Sequence, residues 1–346
     1  MDKKKVLIGM SGGVDSTVAV ALMQRLGYAC AGCNLLLGCG EVSEDARLTA
    51  QRLGIPFLVM DLREEFRRGV QDKFVQVYEQ GGTPNPCIDC NKALKFGTML
   101  DRALELGFDA VVTGHYAQIR RDPQTGRFLL CKAADRAKDQ TYFLYSLSQH
   151  QLAHTLFPLG TLSKDQVRQT AEELGLMNAR KRDSQDICFV PDGDYMAFLK
   201  AHTGKEYPEG DMLDLDGNIL GRHKGFVGYT LGQRKGLGIA LGRPAYVCGK
   251  DPARNTVTLG PNEALFSREL TACGLNWIAI PALTEPLELT AKIRHSQHEQ
   301  ACTVYPEGDR VRAVFREPQR AVTPGQAVVF YREDTVVGGG TIRKIL

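Results

Sequence analysis

The sequence predicts an α/β protein of three parts: a doubly wound parallel-sheet domain over 1–194, a small central domain over 195–268 and a C-terminal antiparallel β-barrel domain over 269–346. Three observations predict it. Up to His115, short apolar runs alternate with helical patterns, the mark of βαβ units. From Tyr207 to Arg243 the texture changes, and glycine and basic residues dominate. Beyond that, apolar residues recur with period two between turn residues, as in a small barrel. The 346 residues exceed one ordinary domain and suffice for two or three.

Taken in order, Val6-Leu7-Ile8 is a first strand, bounded by lysines and a glycine. Ser11-Gly12-Gly13 follows, then a helix with Val18, Leu22 and Leu26 on one face and Gly27 as its C-cap. Ala29 to Leu37 reads as a second strand, Glu44 to Leu53 as a helix closed by Gly54, and Pro56 to Met60 as a third strand. Phe66, Val70 and Phe74 are four apart, which makes Arg63 to Glu79 a helix; Lys92 to Leu106 is another. Asp109 to Thr113 is a strand ending at Gly114-His115. Ligands of such sheets bind beyond the C-terminal strand ends, which singles out the Ser11, Leu35 and Gly114 regions. Few strong helices follow residue 200. Leu287, Leu289, Ala291 and Ile293, then Val311, Ala313 and Phe315, then Ala327 to Tyr331 and Val336 to Ile342, are the barrel strands.

Composition bounds the class. The chain is 43% hydrophobic and 24% charged, ordinary for a globular enzyme. No run approaches the roughly eighteen apolar residues of a membrane span. The apolar stretch after Lys5 is too short for a signal peptide. The expectation is a cytoplasmic protein with no membrane partner. A net charge of +3 permits nucleic-acid binding without demanding it. Arg180-Lys181-Arg182, Arg222-His223-Lys224 and Arg234-Lys235 are local basic clusters, each also readable as a solvated surface. Ten cysteines in a long cytosolic chain point to metal ligation, catalysis or core packing rather than to a disulfide framework.

Ser11-Gly12-Gly13-Val14-Asp15-Ser16 joins the first strand to the first helix. Its glycines admit a phosphate to the backbone, and the helix end adds oriented N–H groups. The Gly-Lys-Ser/Thr ending of a Walker loop is absent, as is G-x-G-x-x-G. The pattern SGG-x-DS is similar to that of the ATP pyrophosphatases, which adenylate a substrate and release pyrophosphate. Asp15 is expected to help organise Mg²⁺ and the pyrophosphate.

Thr83-Pro84-Asn85-Pro86-Cys87-Ile88-Asp89-Cys90-Asn91 presents two cysteines in a proline-stiffened loop just before a helix. A helix N-terminus lowers a thiol pKa and favours the thiolate. The competing reading is half of a structural zinc site, which would need a second C-x-x-C downstream. Cys188, within Asp183 to Val190, reads on spacing alone as a small buried hydrophobe. Cys30, Cys33, Cys39, Cys131, Cys248, Cys273 and Cys302 read as core or incidental, since Cys30 and Cys33 face opposite ways along a strand.

Together these stretches resemble the bacterial tRNA-specific 2-thiouridylases, the MnmA/TrmU family, over almost the whole chain. The resemblance also covers Thr113-Gly114-His115-Tyr116, Lys138 to Leu144, Thr230 to Gly238, Lys292 to His295 and Thr323 to Val328. It implies that ATP adenylates the C2 oxygen of a wobble uridine, in tRNAs for Lys, Glu and Gln. A cysteine persulfide then supplies sulfur to that carbon. By motif match the persulfide carrier is Cys188, and the second catalytic cysteine, which resolves the intermediate, is Cys90. ATP contacts are implied at Gly9, Met10, Ser11, Gly12, Gly13, Val14, Asp15, Ser16, Leu35 and Gly114. Asn85, Pro86 and Cys87 are implied to hold the target base. Other tRNA contacts are implied at His115, Lys138, Asp139, Gln140, Arg294, His295 and Gln326. His115 also reads as a core histidine. The sulfur donor would be a relay protein or a cysteine desulfurase.

Two departures stand out. Many members carry aspartate at Cys87. The replacement creates Cys87-x-x-Cys90, and with Cys188 supplies three thiols, the ligand set of a [4Fe–4S] cluster with one open iron. Asp89 is expected to point away from the site. The segment between Leu35 and Glu44 is also shorter than usual, Leu36 to Ser43. The alternatives are a synthetase of the ATP pyrophosphatase type that adenylates a small molecule, and a non-catalytic RNA-binding protein. Neither uses Cys90 and Cys188.

Overall fold

The computed structural model describes residues 3–38, 40–175, 187–190 and 193–345. Cys39, the Arg180-Lys181-Arg182 cluster and the Asp183 to Asp186 part of the third motif lie outside the described residues.

The first strand, β1 (Lys5–Gly9), leads through the glycine loop into α1 (Val14–Arg25). Then come β2 (Ala29–Leu36), α2 (Glu44–Arg52) and β3 (Phe57–Asp61). The expected 63–79 helix is continuous but not uniform: α3 (Arg63–Phe66) and α4 (Asp72–Glu79) flank a π-helical turn over Arg67–Gln71. Phe66, Val70 and Phe74 are all buried on it. The next helix starts earlier than expected, at α5 (Pro86–Cys90), where Pro86 occupies the first turn and sets the start. It runs on through a π-helical stretch over Asn91–Thr98 into α6 (Met99–Glu105). The strand β4 (Ala110–Val112) follows.

A hairpin that periodicity had not revealed comes next, β5 (Gln118–Arg121) and β6 (Phe128–Cys131). Then come α7 (Thr141–Leu144), α8 (Gln149–Ala153), β7 (Thr155–Leu156) and α9 (Lys164–Glu173). The parallel sheet has the order β3-β2-β1-β4-β7. Its order reverses between β1 and β4, so a crevice opens beyond Gly9 and Val112. Strand alternation sends Val6 and Ile8 into one core with Ala19, Val20 and Met23, and Leu7 into another with Leu94, Met99 and Val111. Cys33 lies in the second core and Cys30 against the first, as the opposite-facing reading requires.

The central part has one helix, α10 (Tyr195–Thr203), where few helices were expected. Its strands are β8 (Gly210–Leu213), β9 (Ile219–His223), β10 (Tyr246–Asp251) and β11 (Thr256–Gly260), in the order β10-β11-β8-β9. The tail supplies β12 (Phe266–Trp277), β13 (Leu287–Lys292), β14 (Gln300–Glu307), β15 (Arg310–Arg320), β16 (Ala327–Arg332) and β17 (Thr335–Ile345). Pairing of β12 with β17 closes these six antiparallel strands into a barrel. The barrel core is Leu270, Val304, Phe315, Phe330 and Ile342 with their neighbours.

The barrel is bolted to the parallel-sheet domain. The β5–β6 hairpin extends the barrel sheet at β17. Asn276 donates to the carbonyls of Tyr145 (2.7 Å) and Leu147 (2.9 Å), and the Tyr142 hydroxyl donates to the Ala327 carbonyl (2.9 Å). Gly339 leaves room for the Tyr145 ring, which a Cβ there would meet at 2.6 Å. These contacts bring residues 139–147, the 294–295 corner and Gln326 to the cysteine helix.

Candidate functional site

The glycine loop sits at the sheet's reversal. Gly12 adopts φ 78°, a conformation open mainly to glycine. Gly13 caps α1 without any side-chain bond, so the helix end offers its N–H groups outward. The Ser16 and Thr17 hydroxyls donate back to the Gly13 carbonyl, each at 3.0 Å, and brace the turn. Met10 is buried, Ser11 is exposed and Leu35 is half-buried near the end of β2. A second helix begins beside the loop: Ser43 caps α2 and also donates to the Ser11 carbonyl (3.5 Å). Gly114 packs against the first turn of α1, where a Cβ would lie 2.8–2.9 Å from Asp15 and Ser16.

Asp15, in that first turn, is not free. Lys164 Nζ donates to its two carboxylate oxygens at 2.8 and 2.9 Å, and the Tyr116 hydroxyl donates to Oδ1 at 2.9 Å. Lys164 was not singled out by sequence, and Tyr116 stood in the Thr113 to Tyr116 motif without a role. Lys164 lies 149 residues from Asp15, and no local pattern could have paired them.

From Gly114 a path of neighbouring residues leads toward the thiols. His115 Nδ1 and Thr113 Oγ1 share a hydrogen bond of 2.7 Å, and the ring packs against Phe96 and Phe157. Burial, then the nearby Lys95 ammonium, holds the His115 pKa well below the usual histidine value, so the ring is neutral. Phe96 and Lys95 lie on the π-helical stretch that follows Cys90.

Cys90 is buried, while Cys87 and Cys188 are partly open to solvent. Sequence reasoning expected a helix end to depress Cys87 and Cys90. The structure reverses that: burial pushes Cys87, Cys90 and Cys188 above the ordinary cysteine value. Cys188 feels the charge of Cys90 and of Cys87, so the three thiols lie within electrostatic range of one another. Lys95 opposes the upward shift on all three. It too was missed. It lies five residues after Cys90, off its face in an α-helix, but the i→i+5 repeat of a π-helix brings the two back into line. Asp89 turns away, as expected, into an ion pair with Lys73. Among the described residues, no three His, Cys, Asp or Glu side chains converge tightly enough to hold a metal ion.

The remaining candidate residues line the junction with the barrel. Pro86 is buried and Asn85 half-buried at the start of α5. The Asp139 carboxylate is buried, accepting from the Ala133 N–H (2.9 Å) and the Thr141 hydroxyl (2.6 Å). Gln140 accepts from the Tyr116 N–H (2.9 Å), and Lys138 beside it is half-buried. His295 is exposed and stacks on Phe143 at 4.4 Å. Arg294 donates to Leu231, Ala321 and Thr323, tying the central part to the barrel. Gln326 donates to the carbonyls of Thr83 and Pro84, each at 3.0 Å, holding the loop before the cysteines.

Residues 4–192 match the family described as tRNA methyl transferase HUP domain, 196–261 its PRC-barrel domain, and 267–342 the aminomethyltransferase beta-barrel domain. A protein of Acetivibrio thermocellus named tRNA-specific 2-thiouridylase MnmA is 50% identical over 99% of this chain and 100% of its own length. One of the same name from Clostridioides difficile is 50% identical, covering 99% of each chain. Another from Clostridium perfringens is 47% identical over the full length of both.

Proposed function

The chain belongs to the MnmA family of tRNA-specific 2-thiouridylases, and from that membership we propose that it is a tRNA sulfurtransferase: it adenylates a wobble uridine with ATP and replaces the C2 oxygen by sulfur. The methyl transfer named in the domain descriptions is set aside, because the full-length relatives are thiouridylases. The observation that carries the reading is the path from glycine loop toward the thiols: Asp15, Gly114, His115, Phe96 and Lys95, whose charge acts on the three cysteines. A phosphate-binding loop and a sulfur-bearing recess thus serve one substrate atom.

In this reading the triphosphate lies on Gly9 to Ser16, with the adenosine toward Leu35 and Gly114. Asp15 is the loop carboxylate that would help hold Mg²⁺, which would screen the phosphate charge when bound. The uridine leaves its stack and lies against Asn85, Pro86 and Cys87. Contacts from His115, Lys138, Asp139, Gln140, Arg294, His295 and Gln326 hold the tRNA; Asp139, whose carboxylate is turned inward, acts through its backbone. The C2 oxygen attacks the α-phosphorus and pyrophosphate departs. The terminal sulfur of a Cys188 persulfide attacks C2, and AMP leaves with the oxygen. The Cys90 thiolate attacks Cys188 Sγ, releasing the thione and leaving a Cys90–Cys188 disulfide. An external reductant resets the enzyme, and a sulfur-relay protein or a cysteine desulfurase reloads Cys188. The work is divided among domains 1–194, 195–268 and 269–346, with the first holding both chemical centres, and is placed in the cytoplasm. Among the described residues no helix is long and apolar enough to cross a membrane.

The test is reconstitution with unmodified tRNAs for Lys, Glu and Gln, ATP, Mg²⁺ and a desulfurase, reading 2-thiouridine by mass spectrometry. Wild type makes it; Cys90→Ser and Cys188→Ser release pyrophosphate but do not. Pyrophosphate release by wild type without thiouridine would sink the thiolase reading.

The three-thiol recess favours one second reading, a [4Fe–4S] cluster on Cys87, Cys90 and Cys188. The thiols as placed do not close on a common metal position, and no step here uses a cluster. Anaerobic reconstitution decides: a fully active protein that contains no iron rules the cluster out, and iron held by wild type but lost from Cys87→Ser supports it.

A further inference from the structure

Lys164 is a charged residue that the steps above do not use. It is only 6% exposed, and burying an ammonium is costly unless it is paired. It also opens α9, where a cation opposes the helix dipole. A capping box from Ser163 and Gln166, and a bond from the Lys164 N–H to Asp135 (3.0 Å), offset that position. Such a placement calls for a use at the far end of the side chain. That end meets Asp15, directly beside the glycine loop.

The electrostatics there are otherwise contradictory. The N-terminus of α1 suits an anion, yet Asp15 places a carboxylate in its first turn. A triphosphate on this loop would face that charge. Lys164 cancels it. The two partners are unequally enclosed: the Lys164 side chain is 7% exposed and that of Asp15 29%, so the pair opens toward the loop at its acidic end. Tyr116 holds Asp15 independently and lies under the ammonium, 5.7 Å from ring centre to Nζ. Asp15 therefore keeps a partner if Lys164 turns away.

We infer that Lys164 is the residue that binds the pyrophosphate half of ATP, parked on Asp15 until phosphoryl oxygens compete for its ammonium. This rests on the reading that the triphosphate lies on Gly9 to Ser16. As uridine O2 bonds to the α-phosphorus, the bond to the bridging oxygen breaks and its electron pair stays with the pyrophosphate. A cation at that group counts more in the transition state than before it.

The experiment measures binding of ATP, inorganic pyrophosphate and AMP by calorimetry to the full chain, to Lys164→Gln and to Lys164→Arg. Lys164→Gln is expected to weaken ATP and pyrophosphate about tenfold or more and to leave AMP nearly unchanged, since only the charged contact is lost. Lys164→Arg keeps most of the affinity. Equal weakening of AMP would assign Lys164 a purely structural hold on Asp15 and overturn the inference, as would no change at all. If wild type binds neither ATP nor pyrophosphate, the nucleotide reading itself fails. Should Lys164→Gln not fold, the wild-type complex with a non-hydrolysable ATP analogue decides. Nζ bonded to a β- or γ-phosphoryl oxygen supports the inference; Nζ still on Asp15 alone refutes it.

Discussion

Replacing Gly114 by alanine should damage adenylation far more than folding. The backbone at Gly114 is not in the left-handed region, so alanine meets no conformational penalty there. The cost is contact alone. Its Cβ would lie 2.8 Å from the Asp15 carbonyl carbon, 2.9 Å from Asp15 Cβ and 2.9 Å from Ser16 N. Carbon contacts are comfortable near about 3.5 Å, so the end of β4 and the start of α1 must part by roughly half an ångström or more. Over-packing of this kind costs about 1–3 kcal/mol, several degrees of Tm for a chain this long. The displaced group, however, is the glycine loop proposed to hold the triphosphate. A misplacement of about 1 Å can cost a hundredfold in rate, so half of that predicts roughly a tenfold loss. The assay is tRNA-dependent pyrophosphate release beside a thermal melt. Gly69→Ala is the control, because its Cβ would meet nothing closer than 3.7 Å. A Gly114→Ala protein with wild-type Tm and wild-type release would refute the claim that this turn abuts the loop.

Lys95→Met removes the cation that opposes the upward shift of the three thiols. Their titration then moves to higher pH and the thiolate fraction at neutral pH falls. Alkylation by iodoacetamide follows that fraction and slows with it, several-fold to about tenfold for loss of one nearby charge. The rising limb of the thiolation pH profile moves to higher pH as well; an unmoved profile would show that Lys95 does not act on sulfur. Gln326→Ala frees the carbonyls of Thr83 and Pro84 and should cost about 1 kcal/mol of stability. Because those carbonyls precede the cysteine loop, KM for tRNA should rise while the KM for ATP stays put, which steady-state kinetics reads directly.

Much of the protein was legible without coordinates, because its signals are local. Alternation of apolar runs with helical faces gave the parallel sheet, and period two gave the barrel strands. Ser11 to Ser16 reads as a phosphate loop from its glycine content and its place between strand and helix. Cys87 and Cys90 announce themselves through the two prolines before them, the second of which opens their helix. The family motifs added roles for Cys90 and Cys188 that spacing could not distinguish from core packing.

The rest depends on distance and environment. A helix end predicts depressed thiols at Cys87 and Cys90, but burial, a property of the assembled fold, pushes them up. Lys95 reaches the thiols because the chain adopts a π-helical repeat after Cys90, and no α-helical spacing would align them. The β5–β6 hairpin looks like a loop until β17 pairs with it. Lys164 and Asp15 meet across 149 residues. Neighbours along the chain were enough to establish which chemical groups exist and which elements carry them. Which charges face one another, and which groups lose their water, was set only by the packing of segments far apart in sequence.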